Sequence, residues 1–536
     1  MLLELKQDGE PYQEENMCTE MSVSQETNNN EILNNFDESE RCRTPIQEFY
    51  AGQKILITGG TGFLGKILIE KLLRSCPHVA CLYLLVRPKK EKSAHVRIEE
   101  LFQDRLFDRL KKEIPRYRDK IVAVHGDCSV ERLGLSDIDR ETLAKEVSIV
   151  FHVAATVRFN EKLKLAMAIN VQSTNDIIEI CKSMRKLKAL VHVSTAYANC
   201  HEKRIEERFY TYSIHYEKLI RLMKESTEEE FEDKFQSIKG KWPNTYTFTK
   251  AMAEGLIREK SEDLPMGIFR PAVVISTAYE PVEGWVDNVY GATGMVAAVA
   301  NGILRVVHCD PNIIANIVPV DITVNALIAS AWDIYKHTRR KANDMLIYNF
   351  VASVEAPLTW QDYCRMNFPY NRQYPLSSTL WYPFFLIVKY RPLYMLLTFF
   401  LHIIPAILVD IAVMCAGQKP RLWKTYEKVH KFCDVITFFC IRDWTFDNNN
   451  VQAMWQRLNS KDKRLFRFTM ANFDWQIYFK NYIRGIRLYI FKDELDNLES
   501  SKMRYRRLYW MHQILKTFVF VGGIWVMWNI FVNWHR

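Results

Sequence analysis

One short apolar strand running straight into a glycine-rich turn limits what this chain can become more than any other feature. Lys54-Ile55-Leu56-Ile57-Thr58 leads into Gly59-Gly60-Thr61-Gly62-Phe63-Leu64-Gly65, and a helix-like KILIEKLLRS follows. Gly59 permits a tight turn, Gly62 lets backbone approach a pyrophosphate, and Gly65 lets helix pack closely on strand. Thr61, Phe63 and Leu64 complete the turn, and the N–H groups of the first helical turn are free to meet phosphate. A glycine trio alone says little, but the strand before it and the helix after it point to a dinucleotide site.

The same alternation continues downstream. Apolar, β-branched runs recur at 54–60, 81–87, 120–127, 147–155, 189–197, 266–275 and 345–353, separated by amphipathic stretches. Near-continuous apolar strands with helical segments between them predict a parallel sheet covered on both faces, a Rossmann-like doubly wound α/β domain over about residues 50–375. After Tyr374 the composition changes. Leu380–Val388 is apolar and aromatic, and Leu393–Ala416 is a 24-residue apolar stretch interrupted by His402, Pro405 and Asp410. Residues 376–501 are expected to form a smaller, mainly helical domain with an apolar membrane-associating stretch, 380–416, within which 393–416 spans the bilayer, dips into one leaflet or avoids it.

The chain closes with Thr517–Val532, sixteen residues without a charge. Such a helix reaches about 24 Å, against about 30 Å of hydrocarbon, so a transmembrane helix over 510–534 needs Lys516 to snorkel and Trp534 to sit at the interface. Lys502, Arg504, Arg506 and Arg507 precede it, which places the α/β domain in the cytosol. Of a formal net charge of +9, residues 1–40 contribute −10, leaving +19 for the rest. A basic body suits an anionic membrane face or a polyanionic ligand. No zinc-finger spacing or compact Lys/Arg run points to nucleic acid. Residues 1–49 are expected to be a disordered acidic extension. The twelve scattered cysteines, with no C-x-x-C pair, suggest neither metal nor a disulfide framework.

Where an NAD site places an acid, at the end of the second strand, this sequence has Arg87-Pro88-Lys89-Lys90. A guanidinium forks onto a 2′-phosphate that an acid would repel, so NADPH is the expected cofactor. Asp127 ends the third strand, as an acceptor for the adenine amine or as a turn residue. Ala154 and Ala155 are small enough to let a nicotinamide pass.

Tyr246-Thr247-Phe248-Thr249-Lys250 puts a phenol and an ammonium on one helix face. The cation is expected to favour tyrosinate and lower the phenol pKa, and the phenol to donate a proton to an oxygen gaining charge. Lys250 also has the reach to hold the nicotinamide ribose. Thr195, or failing it Ser194, supplies a second hydroxyl. Cys128 and Cys200 are the candidate nucleophiles for a thioester, but nothing nearby lowers their pKa and structural thiols are expected.

The motifs TGGTGFLG and YTFTK resemble the extended short-chain dehydrogenase/reductases. The longer runs FRPAVVISTAYEPVEGWVDNVYGATGM (269–295), IVPVDITVN (317–325), WTFDNNN (444–450) and FDWQIYFKNYIRGIRLYIFKDE (473–494) resemble the alcohol-forming fatty acyl-CoA reductases, and the apolar tail resembles insect members. The resemblance covers about residues 50–495. It implies a long-chain fatty acyl-CoA substrate, two NADPH consumed, and a primary fatty alcohol as product. It also places Arg87 and Arg97 at the 2′-phosphate and adenine, and Pro271 to Val273 at the nicotinamide amide. Trp285 and Asp287 receive no role, and Gln172 stands where members often have glycine. The expected membrane is that of the endoplasmic reticulum, with the peroxisomal membrane as the alternative. Oligomeric state is open. A hydroxysteroid dehydrogenase-like reductase and a non-catalytic NADPH-binding membrane scaffold are the competing readings.

Overall fold

The computed structural model describes residues 43–89, 92–212, 214–261, 263–337 and 345–535. Residues 1–42 of the expected acidic extension, and Lys90, lie outside them. Within 43–49 the expectation of disorder is corrected. Pro45–Tyr50 is a helix closed by a Thr44/Gln47 capping box. Its Ile46 and Tyr50 are fully buried, and the Tyr50 hydroxyl donates to the Ile328 carbonyl at 2.8 Å. An apolar face and a strong cap are enough to fix so short a helix against the body.

The seven apolar runs supply β1 (Lys54–Thr58), β2 (Cys81–Val86), β3 (Ile121–His125), β4 (Ile149–His152), β5 (Ala189–Val193), β6 (Met266–Pro271) and β7 (Leu346–Phe350). They form one sheet in the order β7-β6-β5-β4-β1-β2-β3, parallel throughout. Ile55 and Ile57 enter one core cluster and Leu56 the other, because successive side chains leave opposite faces of a strand. The helices Phe63–Ser75 and Val320–Lys336 cover the first face. Ser173–Ser183 and Thr245–Lys260 cover the second. The strand order reverses between β1 and β4, and the crevice beyond their carboxyl ends is where such sheets bind ligands.

The run 266–275 does not stay in this sheet. After Pro271 the Val273 N–H turns to the Asn316 carbonyl at 3.1 Å, and Val273–Ile275 pairs with Ile317–Pro319. Two more short parallel ladders tie later residues to the sheet region, Leu386–Val388 to Val306–His308 and Thr445–Phe446 to Arg204–Ile205. A third seam is backbone on backbone. A Cβ on Gly485 would lie 1.8 Å from the Gly284 oxygen, so nothing larger than glycine fits there.

Among the described residues two helices are long and apolar enough to cross a membrane, Arg391–Cys415 and Leu498–Trp534, with mean hydropathy 2.3 and 1.6 in their most apolar stretches. The second is continuous for 37 residues. Ser501, Tyr505 and Leu508 bury its beginning against the body, Tyr509 and His512 still pack on Trp381, Tyr382 and Phe384, and from Ile514 the helix is largely bare.

Candidate active site

The glycine turn has the geometry that its residue types predict. Gly59 takes φ +74°, and a Cβ on it would come within 2.6 Å of the Ala154 nitrogen. A Cβ on Gly65 would fall 2.2 Å from the Gly59 oxygen. Gly62 caps the helix Phe63–Ser75 without any side chain on the first N–H groups, which leaves them to an incoming phosphate. Ala154 is fixed on the next strand end by its N–H to Thr58 Oγ1 at 3.2 Å, and both Ala154 and Ala155 are half-buried there.

At the tip of β2 two guanidinium groups stand together. Arg97 donates through Nη1 to the Arg87 carbonyl at 2.5 Å and lies 3.5 Å from Thr61 Oγ1, which ties it to the glycine turn. Burial and the neighbouring Arg87 both push its pKa down. The nearest carboxylate to Arg87 is Asp127, at 4.0 Å. Asp127 spends its other oxygen on the Ser129 N–H and hydroxyl, at 2.9 and 2.8 Å, which is the turn role. Two crowded cations sharing one partly committed carboxylate make a fitting seat for an additional anion.

The catalytic candidates meet at the end of β5. The Thr195 hydroxyl faces the Tyr246 phenol closely enough to lower its pKa. Phe159 packs against the Tyr246 ring with centroids 5.9 Å apart. Ser194, the second choice, is committed elsewhere, donating to Glu254 at 2.6 Å. Pro271 lies beside this pair, its carbonyl taking the Ala196 N–H at 2.9 Å, and Val273 is half-buried two residues on.

The expectation of a tyrosinate is corrected. Burial pushes the Tyr246 phenol up to about 12, and the Thr195 hydroxyl beside it only partly opposes this. The Lys250 ammonium donates to the Val193 carbonyl at 2.7 Å, and burial brings it down to about 8 against the pull of Glu254. Desolvation sets the state of the phenol, which keeps its proton and is a donor at neutral pH. Burial likewise raises the Cys128 and Cys200 thiols to about 12, so neither is a ready nucleophile.

Several supporting residues had no clear signal in the sequence. Asn170 sits in a π-helical turn, Ala168–Gln172, a distortion common at functional sites. Its amide joins the Thr156 carbonyl (3.2 Å) to Thr249 Oγ1 (2.9 Å), stitching the strand-end loop to the catalytic helix. Gln172 ends that turn and donates to Asp176 at 2.9 Å. Behind Lys250, Glu254 and Arg270 form a wholly buried pair, with Arg270 also donating to the Glu206 and Arg208 carbonyls. Trp285 stacks on Phe63 with centroids 5.6 Å apart and donates to Asp104 at 3.1 Å. Lys66 bridges Asp104 and Asp287, each at 3.1 Å. Trp285 and Asp287 therefore brace the helix that follows the glycine turn.

The sequence matches the family described as male sterility protein over residues 57–327, and a second part of the same description over 401–493. Its fold is similar to the reductase domain of a nonribosomal peptide synthetase from Mycobacterium tuberculosis, with TM-score 0.55 and 18% identity over 81% of this chain and 91% of that one. The terminal R domain of the myxalamid pathway is similar at TM-score 0.51 and 18% identity, over 81% of this chain and 90% of that one. Among curated proteins, Fatty acyl-CoA reductase wat of Drosophila melanogaster is 44% identical over 91% of this chain and 93% of its own length. Fatty acyl-CoA reductase 1 of Rattus norvegicus is 35% identical over the same shares. The parallel sheet, the glycine turn and a likeness spanning nearly the whole of these relatives agree: the chain belongs to the fatty acyl-CoA reductase family.

Proposed function

We propose that this protein reduces a long-chain fatty acyl-CoA to the primary fatty alcohol, releasing coenzyme A, with NADPH as reductant. The observation that carries the reading is the Tyr246–Thr195 hydroxyl pair at the mouth of the dinucleotide crevice, backed by a buried Lys250. Gly59, Thr61, Gly62, Phe63, Leu64 and Gly65 would hold the pyrophosphate, Arg87 and Arg97 the 2′-phosphate, and Ala154, Ala155, Pro271 and Val273 the nicotinamide side. NADPH, when bound, supplies the hydride in each of two reductions. Tyr246 and Thr195 donate to the thioester oxygen as it gains charge, and collapse of that tetrahedral oxyanion expels coenzyme A thiolate. In the second reduction Tyr246 gives its proton to the aldehyde oxygen, yielding the alcohol. Lys250 orients the ribose and helps return a proton to the phenol.

Residues 50–375 would hold cofactor and catalyst, 376–501 close the substrate side, and 510–534 anchor the protein in a membrane. The bare apolar end of Leu498–Trp534 and its basic approach support an anchor with the crevice on the cytosolic side. The helix Arg391–Cys415 is better placed to dip than to cross. Its neighbours Val388 and Cys440 return side by side, their carbonyls accepting from Cys309 and Asp310 at 3.0 Å each. The intervening helix Leu422–Cys440 carries Lys424, Glu427, Lys428, Lys431 and Asp434, too many charges for a return span. Asp410 is satisfied by the Arg421, Leu422 and Trp423 N–H groups at 3.1, 3.0 and 2.8 Å, which closes the hairpin at its tip.

The test is an acyl-CoA panel with wild type and Tyr246→Phe, following alcohol, free coenzyme A and NADPH. Two NADPH oxidised per coenzyme A released is expected. Tyr246→Phe should lose nearly all product, about 100- to 10,000-fold, and still bind NADPH. Wild-type protein that releases coenzyme A from no acyl chain, or a phenylalanine variant as fast as wild type, overturns the reading.

A further inference from the structure

An open cavity of about 370 Å³ lies at the seam between the sheet region and the C-terminal helices, on the side of β5 away from the glycine turn. Its walls include Lys203, Lys241 and Arg442 together with the aromatic rings of Phe438 and Trp444. The Arg442 guanidinium stacks 3.7 Å above the Phe438 ring centroid. Two acids, Glu202 and Asp443, share the walls, and both have partners. Glu202 lies 3.6 Å from His201, and Asp443 takes the Trp444 N–H at 3.0 Å. None of the three cations has a carboxylate within 4.0 Å among the described residues. Three cations without a carboxylate partner, one of them lying on the Phe438 ring, beside the lining edge of Trp444 form a site for a phosphorylated ring compound, since cations pair with phosphate and flat groups stack.

A run of packed aromatic rings joins the cavity wall to the reacting groups. Cys200 in its floor follows Thr195 by five residues, and Lys241 precedes Tyr246 by five. Trp444 donates to the Cys200 carbonyl at 3.1 Å, so the floor and the aromatic wall are fixed to each other. From Trp444 the rings step to Phe439 at 6.0 Å, to Phe159 at 5.6 Å and to Tyr246 at 5.9 Å. The two-strand ladder between Arg204–Ile205 and Thr445–Phe446 clamps the seam next to the cavity.

We infer that this cavity binds the phosphorylated nucleotide end of coenzyme A, with Lys203, Lys241 and Arg442 on its phosphates and Phe438 and Trp444 against its adenine. The pantetheine arm then runs along Phe439 and Phe159 and delivers the thioester carbonyl to Tyr246 and Thr195. This rests on the acyl-CoA reading above. It assigns the two nucleotides to opposite sides of the catalytic groups, the cofactor beside Arg87 and Arg97 and the substrate beside Arg442. It also implies that only the first reduction uses the cavity, because the aldehyde has no nucleotide.

The test compares palmitoyl-CoA, palmitoyl-dephospho-CoA, which lacks the 3′-phosphate, and hexadecanal, using the full-length protein in detergent. For wild type, removing the 3′-phosphate should raise KM about tenfold or more. Lys241→Ala/Arg442→Ala should raise KM for palmitoyl-CoA by a similar factor and no longer distinguish the two thioesters. Its KM for NADPH and its reduction of hexadecanal should stay at wild-type values, which also reports that the exposed double variant is folded. A wild type indifferent to the 3′-phosphate, or a double variant with unchanged KM for palmitoyl-CoA, overturns the inference while leaving the acyl-CoA reading intact. Wild-type protein inert on every thioester overturns that reading instead.

Discussion

Two arginine sites flank the catalytic groups, and they are built in opposite ways. Arg270 has no exposed surface, and Glu254 beside it has none either. Its guanidinium is used up by that carboxylate and two carbonyls. Arg87 and Arg97 crowd each other at the strand tip with one distant carboxylate between them. The first arrangement satisfies its charge internally and so fixes a shape. The second leaves charge unsatisfied and so awaits a ligand. The contrast separates a scaffold from a binding site using charge bookkeeping alone.

The largest effect should come from breaking the closed site. Glu254→Gln leaves a buried guanidinium half-paired and should lower stability by about 3–5 kcal/mol, read as a fall in urea midpoint. Replacing both partners by methionine should cost much less, since no charge is then stranded. A double replacement as damaging as the single one would mean that the pair itself, and not its burial, holds the helix Thr245–Lys260 on β6.

The open site should respond in binding and not in folding. Arg87→Ala/Arg97→Ala should weaken NADPH binding about 10- to 100-fold and change NADH binding little, measured by titration of nucleotide fluorescence. Equal losses for both nucleotides would assign the two side chains to the glycine turn's architecture.

A smaller effect sits between the two sites, in the pH profile. Lys250 is lowered to about 8 and Tyr246 raised to about 12. The reaction uses the ammonium and the protonated phenol, so both are in the required state below pH 8. As pH rises through about 8 the ammonium is lost first, and kcat/KM for the acyl-CoA should fall there. A profile flat to the limit of protein stability would show that bound cofactor restores the Lys250 proton affinity.

The smallest effect concerns a carboxylate satisfied by backbone. Asp410→Ala should cost about 0.5–2 kcal/mol, and Asp410→Asn a fraction of that, because either oxygen-bearing side chain can accept from the start of Leu422–Cys440. Thermal melts of the two variants check it.

Much of the sheet was legible because buried parallel strands leave short apolar runs that cannot be solvated. All seven runs pair in one sheet, and only the segment after Pro271 departs, drawn away by the Asn316 carbonyl. The glycine turn was legible because Gly59 and Gly65 have no sterically allowed substitute. Tyr246 and Lys250 were legible as neighbours on a helix, but the state of the phenol was not, because desolvation is set by packing from distant segments. Glu254 and Arg270 were hidden for a related reason: a helix and a strand bring them together across a crossover that no local pattern records. Trp285 received its place only when the loop containing it folded onto Phe63. The three π-helical turns among the described residues, of which Ala168–Gln172 touches the site, left no periodic trace.

The helix Leu498–Trp534 runs about 55 Å at 1.5 Å per residue without a break between its packed beginning and its bare end. A rod with no hinge transmits orientation as well as attachment. On the proposed reading the lipid sheet therefore dictates the height and attitude of the catalytic mouth above it, as a mast fixes a lamp. Inserting a flexible joint after Gln513 would leave the protein tethered but free to tumble, and would turn a fixed working distance into a random one.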